Sequence, residues 1–496
     1  MIPYQPEFRL ALPTVYGPKD YRDFRAILEQ IDRFLVNTGI EERFVSRHLA
    51  KLRDASELSK KRKESYSQRV RRALRYGIVR ALTGESIRDV AIRTADSNLL
   101  QWFTLTSPAD RSRPLSKSTI ERMEKMFNDG EIAALVHEGN RAASDEQTAR
   151  ELLLRETGLR MDRVFADTTC VKADIHFPVD WVLLRDAART LIKAVVLIRR
   201  HGLRHRIGSP EEFLRDMNRL CIEMTHTRKK ADATKHRKQI LRRMKKLVAV
   251  IERHGWNYCN LLESEWDQTD WSEAEATVVL KRMKNVLGQL PAAVKQVHER
   301  MIGERRVPNK EKILSLYESN AHVLVRGKAG AEVEFGNALY LAEQKDGLII
   351  DWEFLREQPP ADSRLMEVSL ARITSEYGKP LSYAADRGFD SAANREAFEK
   401  MEVFNAVCPR SPASLSERLL DTDFRELQKR RGGTEARIGI FKNAYLGRPL
   451  KSKGFKNRRI RIEWCVLTHN LWKLAVMAVQ AREEAKEEVR HRKKAS

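Results

Sequence analysis

From residue 322 onward the apolar residues recur at every second position, and this change of period limits the fold more than any other feature of the chain. Residues 322–327 (HVLVRG), 333–343 (VEFGNALYLAE) and 347–355 (GLIIDWEFL) read as strands, and the joints GKAGAE and QKDG between them are rich in turn formers. A meander of three strands is expected. Residues 163–175 (RVFADTTCVKADI) form a further β-branched and aromatic stretch, too short and irregular for an amphipathic helix, and read as a buried strand. Downstream of the meander come a helix (SRLMEVSLARITSEYG) ended by Gly378 and Pro380, a strand (LSYAA), and a helix capped at Asp390 or Ser391. A short strand (VFNAVCP) follows, then the basic segment RRGGTEARIGIFK, then a final helix (RIEWCVLTHNLWKLAVMAVQA) running into a charged tail.

The remainder is helical. Residues 1–150 show 3.6-residue spacing in YRDFRAILEQIDRFLV and VRRALRYGIVRALTG. Two helix pairs follow there, ESIRDVAIRTADSNLLQWF and RPLSKSTIERMEKMFND; in the second, Ser116 or Ser118 caps a helix whose outer side carries Thr119, Arg122 and Lys125. Such a pair suits a helix-turn-helix reader of DNA and equally an ordinary helical domain. Residues 181–317 form a helical block interrupted at RIGSPEEF, HGWNYCN and QTDW. Its middle, TRKKADATKHRKQILRRMKKL, is about half Lys and Arg along a narrow apolar stripe of Ile240, Leu241, Met244 and Leu247. A face so one-sided in sign repels itself unless an anion neutralises it, so Arg228, Lys229, Lys230, Arg237, Lys238, Arg242 and Arg243 are expected on a phosphate backbone.

Charge selects the partner class. A net charge of +23 and a pI near 9.8 attract polyanions, double-stranded DNA first. No apolar run approaches the roughly 18 residues of a membrane span. Five cysteines without a CxxC pair argue for a reducing compartment and against a zinc site, and the N-terminus has no secretory pattern, so a cytoplasmic, nucleoid-associated protein is expected.

With the helical block set aside, the order is strand, strand, strand, helix, strand, helix, strand, helix, which is the order of the RNase H-like fold. The expected class is α/β, with an RNase H-like core at 160–180 and 318–475. A helical DNA-binding domain at 1–150, a basic helical insertion at 181–317 and a tail at 476–496 complete the chain. Asp167 sits in the first strand, Asp386 at the end of the strand after the first core helix, and Glu435 on the late helix. Three carboxylates brought together repel unless they hold divalent cations, and hard oxygen ligands select Mg²⁺ or Mn²⁺. If Thr434 caps that helix, Glu435 and Lys442 lie about 20° from eclipsed with Gly439 between them, and Ile438, Phe441 and Tyr445 anchor an adjacent face.

FADTTCVKADIHFPVDWVLLRDAARTL, AADRGFDS and RRGGTEARIGIFK together resemble the three acidic blocks of bacterial insertion-sequence transposases with an Asp-Asp-Glu triad, particularly the group left unclassified among insertion elements (ISNCY) and its relatives. The resemblance spans about residues 60 to 475. It implies Asp167, Asp386 and Glu435 as metal ligands, and Arg431 and Lys442 as contacts to the transposon end. Gln428 stands where related chains carry a tyrosine. The implied reaction is Mg²⁺-dependent hydrolysis at the element's ends, then attack of the freed 3′-hydroxyl on target DNA, by a homodimer or higher oligomer. A nuclease or resolvase of the same fold, or a non-catalytic DNA-binding derivative, are the rival readings. His176 and Asp180 either orient a water or phosphate, or bond each other across the turn at Pro178. Asp174 reads as a turn residue, Asp390 as an N-cap, and His469 and Asn470 as hydrogen-bonding groups of the core.

Overall fold

The strand-like segments assemble into one six-stranded mixed sheet, seen in a computed structural model that describes residues 10–52, 58–106, 114–227, 232–328, 331–447 and 449–495. The strands are β1 (Arg163–Lys172), β2 (His322–Lys328), β3 (Ala331–Glu343), β4 (Ile349–Phe354), β5 (Ser382–Ala385) and β6 (Phe404–Val407). β3 runs antiparallel to β1, and β1, β5 and β6 run parallel. Gly336 of β3 faces both Lys172 and His322, and Leu339 faces both Thr169 and Phe354. β2 and β4 therefore share the edge of β3 opposite β1, one after the other. At 13 residues β3 is long enough to seat both, so the antiparallel part holds all four strand segments, one more than the three that open the RNase H-like order.

Among the described residues seven helices precede the sheet: α1 (Lys19–Asn37), α2 (Ile40–Ala50), α3 (Lys60–Thr83), α4 (Ile87–Asp96), α5 (Asn98–Phe103), α6 (Lys117–Glu124) and α7 (Glu131–Ser144), with a single turn, α8 (Glu146–Thr148), leading into β1. Between β1 and β2 lie α9 (Asp180–Arg200), α10 (Pro210–His226), α11 (Ala233–Glu265) and α12 (Glu273–Met301), which enclose an apolar core of their own. The sheet is completed by α13 (Ser363–Tyr377), α14 (Ala392–Lys400), α15 (Pro412–Arg418), α16 (Thr422–Ile440) and α17 (Phe455–Ala495). The last of these is one helix of 41 residues that continues through the charged tail. Among the described residues no helix is long and apolar enough to cross a membrane.

One expected helix break is absent. HGWNYCN lies inside α11, where Gly255 serves close packing: a Cβ there would stand 3.1 Å from Leu287 and 3.4 Å from Leu191, side chains of the two helices α11 rests on. At Gly432 and Gly433, where the sequence leaves both a break and a continuous helix open, the helix is continuous: both lie within α16, which begins at Thr422 with Asp421 as its N-cap, not at Thr434. Ser391, not Asp390, caps α14; the Asp390 carboxylate accepts from the Arg410 amide at 3.0 Å and pairs with Arg395. Ser116 caps α6 as expected.

A single apolar core joins the N-terminal helices to the sheet through α17. Asn470 of α17 ties three elements together, donating to Ile349 O (2.8 Å) and Asn140 Oδ1 (3.0 Å) and accepting from the Ile349 amide (2.9 Å), with His469 against it at 3.1 Å. Where α3 crosses α17, the indole of Trp464 lies on Gly77, and a Cβ at that glycine would be 2.4 Å from the ring. Gly77→Ala improves helix propensity by up to about 1 kcal/mol, yet overpacking at such a contact costs about 1–3 kcal/mol. The variant should unfold at lower denaturant concentration than the parent, and an unchanged or raised midpoint would contradict this packing.

Candidate functional site

β5 pairs with β1 only over residues 163–165, so β1 continues past the point where its parallel neighbour ends. Asp167 lies just beyond that point, and Asp386 is the first residue after β5. α16 packs against β1, β5 and β6 and carries Glu435 over the same region. The chain thus delivers one acid from each of two neighbouring parallel strands and one from a crossing helix.

The seat of α16 is polar and buried. Glu343, at the end of β3 and only 5% exposed, accepts from Thr434 Oγ1 (2.7 Å), Arg430 (2.9 Å) and Arg437 (3.0 Å). The Arg430 guanidinium also lies 4.5 Å from the ring centre of Phe165. Gln428 donates to the carbonyls of Ala385 (3.2 Å) and Ala406, fastening the helix to the ends of β5 and β6. Ile438, Phe441 and Tyr445 supply the apolar side, as expected. Two cations of the basic segment therefore hold the helix in place. Arg431, four residues before Glu435 on the same helix, accepts no such role: it donates to Gln428 (3.0 Å), approaches Glu435 at 3.8 Å, and keeps a buried Nη1 with no hydrogen bond among the described residues. Lys442 donates to Thr169 Oγ1 at 3.0 Å, two residues from Asp167 on the same face of β1.

Burial is the largest cause that raises the Asp167 carboxyl, to about 6. The charge of Asp386 adds to it, the Thr168 amide (2.7 Å) opposes it, and Glu435 and Arg431 act more weakly in opposite directions. The three acids therefore share one electrostatic environment. They are not drawn into one grip: among the described residues no three His, Cys, Asp or Glu side chains are close enough to hold a metal ion. Glu435 is 61% exposed and leans toward Arg431, while Asp386 accepts from the Gly388 amide at 2.9 Å. The donor chemistry nevertheless suits a hard divalent cation, since every group is a carboxylate and the charge of Asp167 is penalised until a cation offsets it.

A fourth acid was not anticipated. Asp362 accepts from Thr168 Oγ1 at 3.1 Å, and a Cβ on Gly388 would meet Asp362 Oδ2 at 2.9 Å and Asp386 Oδ1 at 3.0 Å, so two carboxylates flank that glycine. In sequence it looks like an N-cap of α13, but its side chain makes no capping bond.

The other expected residues are dispersed. Asp180 accepts from Arg300 (2.8 Å) and Gln296 (3.0 Å) and fastens α9 to α12; it serves the insertion's packing and is not bonded to His176, which lies exposed in the loop after β1. Asp174 occupies a bend there. Of the basic array, Arg228, Lys229 and Lys230 lie outside the described residues. Lys238 pairs with Glu304 and Arg243 with Glu223, each at 2.8 Å, whereas Arg237 is half-buried and Arg242 exposed. Arg122 and Lys125 are exposed on α6, the former against Thr119 (3.3 Å), the latter paired with Glu121 (2.9 Å).

Because the folded Asp167 keeps its proton where the unfolded one has lost it, the folded state binds more protons between about pH 4 and 6. Stability then falls as pH rises through that range, by at most about 1.4 kcal/mol per unit. The melting temperature of Asp167→Asn should exceed that of the parent by a margin that widens from pH 4 to 6 and is constant above; a margin independent of pH would contradict the shared field. Comparison with protein-family models, with curated proteins and with solved structures finds no match for this chain.

Proposed function

We propose that the chain is a transposase of the Asp-Asp-Glu kind, with an RNase H-like core that cuts DNA at the ends of a mobile element and joins them to target DNA. The observation that carries this reading is the convergence of Asp386 and Glu435 on the buried Asp167, whose carboxyl they help to raise, at the point where β1 outruns β5. Support for the core comes from its order. With the additional strand β2 set aside, β4, β3 and β1 are antiparallel neighbours, and β5 and β6 follow in parallel, each preceded by a helix.

Asp167 and Asp386 are the pair that would hold Mg²⁺ or Mn²⁺, with Glu435 completing the set from the helix side. Such ions, when bound, activate an attacking oxygen and stabilise the leaving one. The residues of the chain contribute position and charge. Glu343 and Gln428 fix the height of α16 over the strand ends. The Nη1 of Arg431, 3.8 Å from Glu435 Oε1 and without a hydrogen bond among the described residues, and the ammonium of Lys442 supply positive charge for a phosphate on the acid-bearing face of β1. Gly439 leaves open space beside them, so a DNA backbone can approach. The net charge of +23 supports a nucleic-acid partner, and two copies on paired ends are the expected assembly.

The test uses the DNA that borders the chain's own coding sequence. With Mg²⁺ the parent should nick that DNA to leave a 3′-hydroxyl, and should join a pre-cut end to plasmid. Glu435→Gln should lower both by about a hundredfold or more while leaving end binding intact. Cutting without joining would point to a nuclease, and full cleavage by Glu435→Gln would sink the assignment.

A further inference from the structure

A broad concave surface lies in the insertion, away from the acids. It is a groove of about 990 Å³ bounded by α9, α10, α12, residues 174–179 and residues 314–318. One wall is a face of α9 on which Arg189, Lys193 and Arg200 stand exposed; at a rise of about 1.5 Å per residue they span roughly 17 Å. Arg282 of α12 and Lys453 face the same space, also exposed. None of these five makes an ion pair or a side-chain hydrogen bond among the described residues. Some other cations of the insertion do find carboxylates, as in Lys238–Glu304, Arg243–Glu223 and Lys284–Glu263. Within the groove Asp186 is occupied by Arg185 (3.1 Å), and Glu318 by the buried Arg458 (3.2 Å) and the Gly454 amide (2.7 Å). Asp174 and Glu211 alone do not balance the row. Unpaired like charges on one concave wall are costly until an anion lies among them.

Aromatic surface accompanies the charge. Phe177 is 76% exposed and touches Phe335 edge-on at 5.6 Å; Tyr317 is 49% exposed, with its hydroxyl fixed 2.7 Å from Thr190 Oγ1. Rigid exposed rings beside a row of cations are the chemistry of single-strand binding, where bases stack and phosphates are neutralised. A duplex, whose major groove alone is about 12 Å wide, is too bulky for this volume, while a few nucleotides of one strand fit. The groove begins at residues 174–179, immediately after the strand that carries Asp167. Seven extended residues reach on the order of 23 Å, or about seven nucleotides at ~3.4 Å each.

We propose that this groove binds single-stranded DNA, the unpaired strand leading away from the reacting phosphodiester. The identity of that strand rests on the transposase reading; the affinity for a single strand does not. The test is fluorescence anisotropy of a labelled twelve-residue oligo-dT, and of a twelve-base-pair duplex, against the full chain over a range of salt. Arg189→Glu combined with Lys193→Glu should weaken oligo-dT binding at least about tenfold and reduce the salt slope by about 1.4, as expected for two lost phosphate contacts. Phe177→Ala should weaken it by about fivefold or more with the slope unchanged. Both variants should bind the duplex as the parent does. Parent-like oligo-dT binding by either variant, an equal loss on the duplex, or no oligo-dT binding by the parent would overturn the proposal. Absence of metal-dependent cleavage would count against the transposase reading and leave the groove untouched.

Discussion

The Glu343 carboxylate is the interaction on which the rest of the core depends. It is buried at the end of β3 and held by a hydroxyl and two guanidinium groups, all from α16. A buried carboxylate without such partners would cost several kcal/mol, so the helix cannot rotate or slide without exposing that cost. Gln428 sets the other end of the same helix against the carbonyls where β5 and β6 stop. These polar fasteners fix which face of α16 looks along the sheet edge, and hence where Glu435 stands relative to Asp167 and Asp386.

Around that frame the electrostatics divide into two regimes. In the core, cations and acids are interlocked: Arg75 lies fully buried between Glu41 and Asp32, and Arg372 bridges Asp351 and Glu353. At the strand ends and in the insertion groove the balance is left open. Burial, and after it the nearby charge of Asp386, raises the Asp167 carboxyl, and the α9 wall carries unanswered positive charge. One surface suits cations and the other suits phosphates, an arrangement consistent with an enzyme that grips a polyanion and works on it through bound metal.

Much of this was legible in the sequence. Period-two alternation located the strands, and the ordering of Asp167, Asp386 and Glu435 along strand, strand and helix pointed to one end of one sheet. What local pattern could not supply was long-range partnership. Gly255 reads as a break, and Gly432–Gly433 leaves a break open, because glycine is a poor helix former, whereas close packing in one case and anchoring by Glu343 in the other keep the helices continuous. Arg430 and Arg437 look free in RRGGTEARIGIFK because their partner is about ninety residues upstream. Asp362 is hidden for the same reason, since its capping position masks a contact with Thr168 on β1. The basic stretch on α11 is denser in charge, yet the row that lines the groove is on α9, where the cations are spaced among apolar residues.

The central claim is that Asp167, Asp386 and Glu435 together hold a divalent cation. Iron(II) substituted into such a site, with ascorbate and peroxide, cuts the polypeptide next to the ion. The account predicts scission focused near residues 167, 386 and 435, suppressed by excess Mg²⁺ and lost in Asp386→Asn. Scission confined to other positions, or unaffected by that substitution, would contradict it.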